Sequence, residues 1–152
     1  MPSKPPPRKN AVANEAPDTL VREVFIAAPP EAVYALLTTA EGLCQWMAAE
    51  ATVEAHPDGL IRWRFENGDV VRGAFVALEP HRRIEFTYGW EVGFAEIPPG
   101  STTVTIDLTA KDDGTALRLT HAGLPTRAAA HDEGWQYFLG RLATTAGAPD
   151  AA

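Results

Sequence analysis

Hydrophobic and polar positions repeat with one period through the middle of the chain and another at its end. Between Leu60 and Glu66, Ile61, Trp63 and Phe65 share a face against Arg62 and Arg64. Ile84, Phe86, Tyr88 and Trp90 alternate with Glu85 and Thr87, and Val104, Ile106 and Leu108 with Thr103, Thr105 and Asp107. Leu117, Leu119 and His121 stand opposite Arg118 and Thr120. A period of two is the mark of half-buried strands. Toward the end the period lengthens. Trp135, Phe138, Leu139 and Leu142 stand at i, i+3, i+4 and i+7, one face of a helix expected between Arg127 and Thr145.

The remaining elements follow from local chemistry. Leu20 to Ile26 is rich in Val, Phe and Ile and reads as a strand. Pro29 and Pro30 stop it, and Pro30 suits the first turn of a helix carrying Val33, Leu36 and Leu37. A second short helix is expected over Ala40 to Met47, with Leu43, Trp46 and Met47 on one side. Thr52 to Ala55 and Val70 to Leu78 are expected strands, the second with Gly73 as a bulge or close approach. Asn67-Gly68-Asp69 predicts a hairpin turn. No strand–helix alternation follows residue 50, which excludes a doubly wound parallel sheet. The expected fold class is α+β: a curved, mostly antiparallel sheet gripping one long C-terminal helix, with two short helices after the first strand. Such a sheet need not close fully on one helix, and the space left over is a ligand cavity.

Composition narrows the function classes. The 152 residues suit one domain, expected over 18–147. Residues 1–17, with Pro5-Pro6-Pro7 and a formal PxxP docking motif at Pro2 to Pro5, are expected to be a disordered tail, and 148–152 a frayed end. A net charge of −7 argues against nucleic acid and anionic membrane surfaces. One cysteine, Cys44, forbids an internal disulfide, and the N-terminus lacks the apolar core of a signal peptide, so a cytoplasmic protein is expected.

Several stretches, in order, resemble the START-like (SRPBCC) superfamily, and within it the branch named for the activator of the heat-shock protein 90 ATPase. They are Ile26 to Tyr34, Leu43 to Met47 with Trp46, Gly73 to Val76, Arg83 to Tyr88, Gly114 to His121, and His131 to Trp135 followed by Leu139 and Leu142. The resemblance spans roughly residues 19–146 and implies a helix-grip fold around an apolar cavity. Its members include lipid and hormone binders, polyketide cyclases and chaperone regulators, so the fold alone does not name a function. The co-chaperone itself carries a further N-terminal chaperone-binding domain, where this sequence has its 17-residue tail.

The expected cavity lining is Trp63, Phe65, Phe86, Tyr88, Trp90, His121, Trp135, Phe138 and Leu139, aromatic bodies with a few polar atoms. His121 and Tyr88 are weak candidates for acid or base, with a backbone-satisfied histidine as the simpler reading of His121. The Gly134-Trp135 pair is expected to serve close packing, and Cys44 to be a buried, inert thiol. His56, His81, His121 and His131 show no metal-ligand spacing, and no Gly-rich loop precedes a helix, so neither a metal nor another cofactor is expected. The expected partner is a small hydrophobic molecule or lipid, held by a monomer or homodimer acting as carrier or sensor. A chaperone-regulator module and an aromatase/cyclase-like enzyme are the alternatives.

Overall fold

The computed structural model describes residues 19–147. The expected tails at 1–17 and 148–152 lie outside the described residues. The chain opens with strand β1 (Leu20–Ile26) and reverses through Pro29 into helix α1 (Pro30–Thr38), with proline in its first turn. Helix α2 (Ala40–Leu43) follows, its first turn capped by Thr39 Oγ1, which accepts from the Gly42 amide at 2.9 Å. This helix is four residues shorter than its apolar spacing predicts. The amides of Met47 and Ala48 both turn back to the Leu43 carbonyl, at 2.9 and 3.1 Å, so the chain tightens into a turn toward the sheet. Trp46 closes that corner, with Nε1 donating to the Leu36 carbonyl at 2.9 Å.

The sheet comprises β2 (Glu50–Val53), β3 (Leu60–Arg64), β4 (Val70–Glu79), β5 (Arg83–Tyr88), β6 (Trp90–Val92), β7 (Thr102–Lys111) and β8 (Gly114–Ala122) with β1. Its order is β1-β8-β7-β5-β4-β3-β2, every pair antiparallel, and β6 pairs with β4 beside this path. The final helix α3 (Ala128–Gly147) lies across the concave face. Gly68 takes a φ of +93° at the tip of the β3–β4 hairpin, as an Asn-Gly-Asp turn requires.

One expected strand is two in the structure. Arg83 to Trp90 alternates without a break, yet it divides at Gly89. There the Pro98 carbonyl approaches so closely that a Cβ would collide with it. On the neighbouring strand Gly73 meets the Thr87 carbonyl in the same way. At this pair of glycines the sheet bends. Upstream of the break β5 pairs β7; beyond it β6 pairs β4. The bend turns Trp90 out of the core line and toward α3.

The core lies between the sheet and the C-terminal half of α3, where Leu119, Ile84, Val104 and Leu142 are fully buried and Ile106, Phe86 and Leu139 nearly so. Burial of each such side chain contributes about 1.5–3 kcal/mol. At the other end of α3, Arg22 of β1 grips Asp132 along one guanidinium edge, Nε donating to one carboxylate oxygen at 2.6 Å and Nη2 to the other at 2.7 Å. Half-exposed, this pair contributes more to the helix's placement than to its stability.

Candidate functional site

Between the Ala130-to-Arg141 stretch of α3 and the bent part of the sheet is a cavity of ≈ 440 Å³. Trp63 and Phe65 of β3 and its end, Tyr88 of β5, Trp90 of β6 and Phe94 form one wall. Ala130, His131, Gly134, Trp135, Phe138 and Arg141 form the helix wall, and Cys44, Met47 and Ala48 close one side. Glu66, Asn67 and Asp69 of the hairpin tip and Tyr137 of α3 stand at the mouth. The volume falls within the range of small-molecule sites.

The rings around this space hold one another on edge. Tyr88 meets His121 at 4.5 Å between centroids and 74° between planes, and Trp63 meets Phe86 and Tyr88 in T-shaped contacts. Phe65 bridges the space, with Trp90 at 5.8 Å on one side and Phe138 at 5.6 Å on the other. Two hydrogen bonds fix the largest rings: Trp135 Nε1 donates to His121 Nδ1 at 3.0 Å, and Trp90 Nε1 donates to His131 Nε2 at 3.0 Å.

Those donors settle both imidazoles. An indole nitrogen only donates, so His121 Nδ1 must accept and its proton lies on Nε2. Nε2 then donates to Thr102 Oγ1 at 2.9 Å, whose hydroxyl donates to the Tyr88 carbonyl at 2.8 Å. His131 takes the opposite tautomer: Nδ1 donates to the Arg127 carbonyl at 2.8 Å, and Nε2 accepts from Trp90. Protonating either ring would set donor against donor. Burial, and for His121 the neighbouring His131, push His121 down to about 3; burial lowers His131 as well. Burial also raises the Tyr88 phenol. Near neutral pH these three groups are uncharged.

Of the nine residues expected to line a cavity, Trp63, Phe65, Tyr88, Trp90, Trp135 and Phe138 do so. Phe86 and Leu139 instead border a void of ≈ 10 Å³ further in, room for about one water at most, beside Leu37, Trp46, Ile106 and Leu119. His121 borders neither space and is sealed from solvent. Its alternation with Leu117 and Leu119 does aim it inward, but Tyr88 and Trp135 stand between it and the cavity. Two other expectations change. Cys44 is exposed at the cavity side, because α2 ends before it and only Leu43, Trp46 and Met47 turn inward. Gly134 packs against nothing: a Cβ there would meet no atom within 4 Å.

His131, Phe94 and Arg141 are additions that strand and helix patterns did not single out. His131 was within reach, since His131, Trp135, Leu139 and Leu142 continue the buried stripe by one turn. Phe94 sits in a loop without periodicity, and Arg141 occupies an exposed helical position; neither carries a local signal. Among the described residues, no cluster of three or more His, Cys, Asp or Glu could hold a metal ion. No described helix is long and apolar enough to cross a membrane.

A family model described as "Activator of Hsp90 ATPase homolog 1-like protein" matches residues 27–147. An AHSA1-like protein from Rhizobium etli, solved by NMR, is similar at 43% identity over 88% of this chain and 86% of that one, with a TM-score of 0.66. A crystal structure of a protein from Chromobacterium violaceum matches at 25% identity over 89% of this chain and 100% of the other, with a TM-score of 0.75. DynU16, a protein in the dynemicin biosynthetic locus, matches at 25% identity and a TM-score of 0.72 over 84% of this chain but 46% of its own length. No protein of curated function matches the sequence.

Proposed function

Because the chain belongs to the family of activator of Hsp90 ATPase homolog 1-like proteins, whose helix-grip fold it has, we propose that it binds a small, largely apolar, ring-bearing molecule between α3 and the bent sheet, as a carrier or sensor. The observation that carries this reading is the ≈ 440 Å³ space walled by aromatic rings. Gly134 supports it. A glycine inside a helix is less favourable than alanine by about 1 kcal/mol. Here no neighbouring atom requires one, and its missing side chain widens the cavity.

The same geometry favours binding over acid–base catalysis. His131 is the imidazole at the cavity wall, and both its nitrogens are engaged. His121 is behind the wall, and the Tyr88 phenol is held protonated. The likeness to DynU16, a protein of a biosynthetic locus, fits small-molecule chemistry; the family description fits a chaperone partner. The cavity lies in the wall of a single domain and needs no partner surface to form.

The test uses two reporters built into the site. Trp63, Trp90 and Trp135 line the cavity, and so does Cys44, the only cysteine. Titration with N-phenyl-1-naphthylamine is expected to quench tryptophan emission saturably. It is also expected to slow thiol labelling of Cys44 severalfold. Absence of saturable quenching, with labelling unchanged, would overturn the proposal.

A further inference from the structure

Every other arginine among the described residues has a carboxylate oxygen within 4.0 Å. Arg141 does not, in a chain whose acidic residues outnumber its basic ones by 20 to 13. It is also the one cation among the described residues at the cavity, His131 being neutral. Its guanidinium is not loose. Nε donates to the Trp46 carbonyl at 2.8 Å, a group left over where α2 unwinds into its turn, and the guanidinium carbon stands 6.0 Å from the centre of the Tyr137 ring. With Nε committed, the two terminal nitrogens make no hydrogen bond to the described residues. A guanidinium fixed along one edge presents its other donors in a set direction, the arrangement that recognises an oxyanion.

We propose that the molecule held in this cavity is an organic acid: a ring system seated against the wall formed by Phe65, Trp90 and Phe138, with a carboxylate, sulfonate or phosphate on Arg141. This rests on the ligand-binding reading above and adds the chemical class. The mouth also carries two acids, Glu66 and Asp69, on the hairpin tip. Asp69 is engaged within its own turn, where Asn67 Nδ2 donates to it at 3.2 Å, and Glu66 is solvated. They leave α3 as the side where a negative charge is stabilised, and they discriminate against an acid placed toward the hairpin.

A matched pair of probes tests this. 1-Anilinonaphthalene-8-sulfonate and N-phenyl-1-naphthylamine share one ring system and differ by the sulfonate, and both fluoresce in apolar sites. The sulfonate is expected to bind about tenfold more tightly, the scale of one charge-assisted contact. Added salt should narrow that margin. Arg141→Gln is expected to remove the margin while leaving the uncharged probe within about twofold, because the apolar walls are unchanged. Arg141→Lys should restore part of it. Gly134→Leu, which takes up part of the cavity, should weaken both probes. Equal binding of the two probes, or a margin that survives Arg141→Gln, overturns the organic-acid assignment and leaves the cavity proposal standing. Failure of both probes to bind overturns the cavity proposal itself.

Discussion

The two halves of α3 lie over one sheet and are packed in opposite ways. Leu139 faces Phe86, Ile106 and Leu119 around a residual ≈ 10 Å³, and Leu142 nearby is fully buried. Toward the N-terminus, Gly134, Trp135 and Phe138 face ≈ 440 Å³ of open space. Aliphatic side chains carry no direction and fill what they meet, to the density of a crystal. The outer rings are directed. Trp135 is tied to His121, Trp90 to His131, and the edge-on contacts among Tyr88, Trp63 and Phe86 fix their planes. A ring pinned by its polar atom cannot tip over to close the gap without losing a hydrogen bond. The polar atoms of the aromatic half therefore keep the space open, and the apolar atoms of the other half hold the fold together.

The largest expected effect separates the two halves directly. Leu142→Ala removes a fully buried side chain from the filled end and should cost about 3 kcal/mol, with ligand affinity little changed. Phe138→Ala removes a larger side chain that is half-exposed and borders open space, and should cost about 1 kcal/mol or less. Urea unfolding of both variants gives the comparison. Equal losses would mean that the outer end is packed as tightly as the inner one.

The next effect concerns the pins. His121→Gln removes an imidazole whose two nitrogens bond Trp135 and Thr102, and should cost about 2 kcal/mol at pH 7. It should also change the pH profile. In the folded chain His121 is held down to about 3, whereas in the unfolded chain it takes up a proton near its ordinary 6.5. Below that value the unfolded state binds more protons, so stability is full above pH 6.5 and is lost as pH falls toward 3, by at most about 1.4 kcal/mol per pH unit. Between pH 7 and pH 5 the variant should therefore lose about 1–2 kcal/mol less than the parent chain. Parallel profiles would show that His121 is not held neutral by its neighbours.

This contrast also explains how much could be read from the residues alone. The filled half was readable because strand alternation and helix spacing report which side of an element is buried. Ile84, Phe86, Ile106, Leu119, Leu139 and Leu142 all follow from period alone. The open half was half readable. Six of its rings lie on inward faces and were named, but period cannot say whether an inward residue meets a neighbour or a hollow. That depends on the bend at Gly73 and Gly89, where main-chain atoms 14 and 9 residues apart in sequence come together. The same bend hides His121 behind Tyr88 and divides one apparent strand in two. Phe94 reaches the site from a loop, where no repeating pattern exists, and Arg141 from an exposed helical position, held there by the Trp46 carbonyl at the unwound end of α2, a contact no period reports.

The smallest expected effect tests whether the hollow is maintained at a cost in stability. Gly134 is inside α3, buried on neither side by a close neighbour, and a Cβ there enters open space. Gly134→Ala should then raise stability by about 0.5–1 kcal/mol, because alanine restricts the unfolded chain and suits the helix. The methyl group would project into the cavity, so affinity for N-phenyl-1-naphthylamine should fall modestly, by about twofold, while stability rises. Opposite signs in the two measurements would mean that the helix gives up intrinsic stability to keep its outer face open. If Gly134→Ala instead destabilises the chain, α3 lies closer to the sheet than the ≈ 440 Å³ space requires, and the difference between its halves is smaller than their packing indicates.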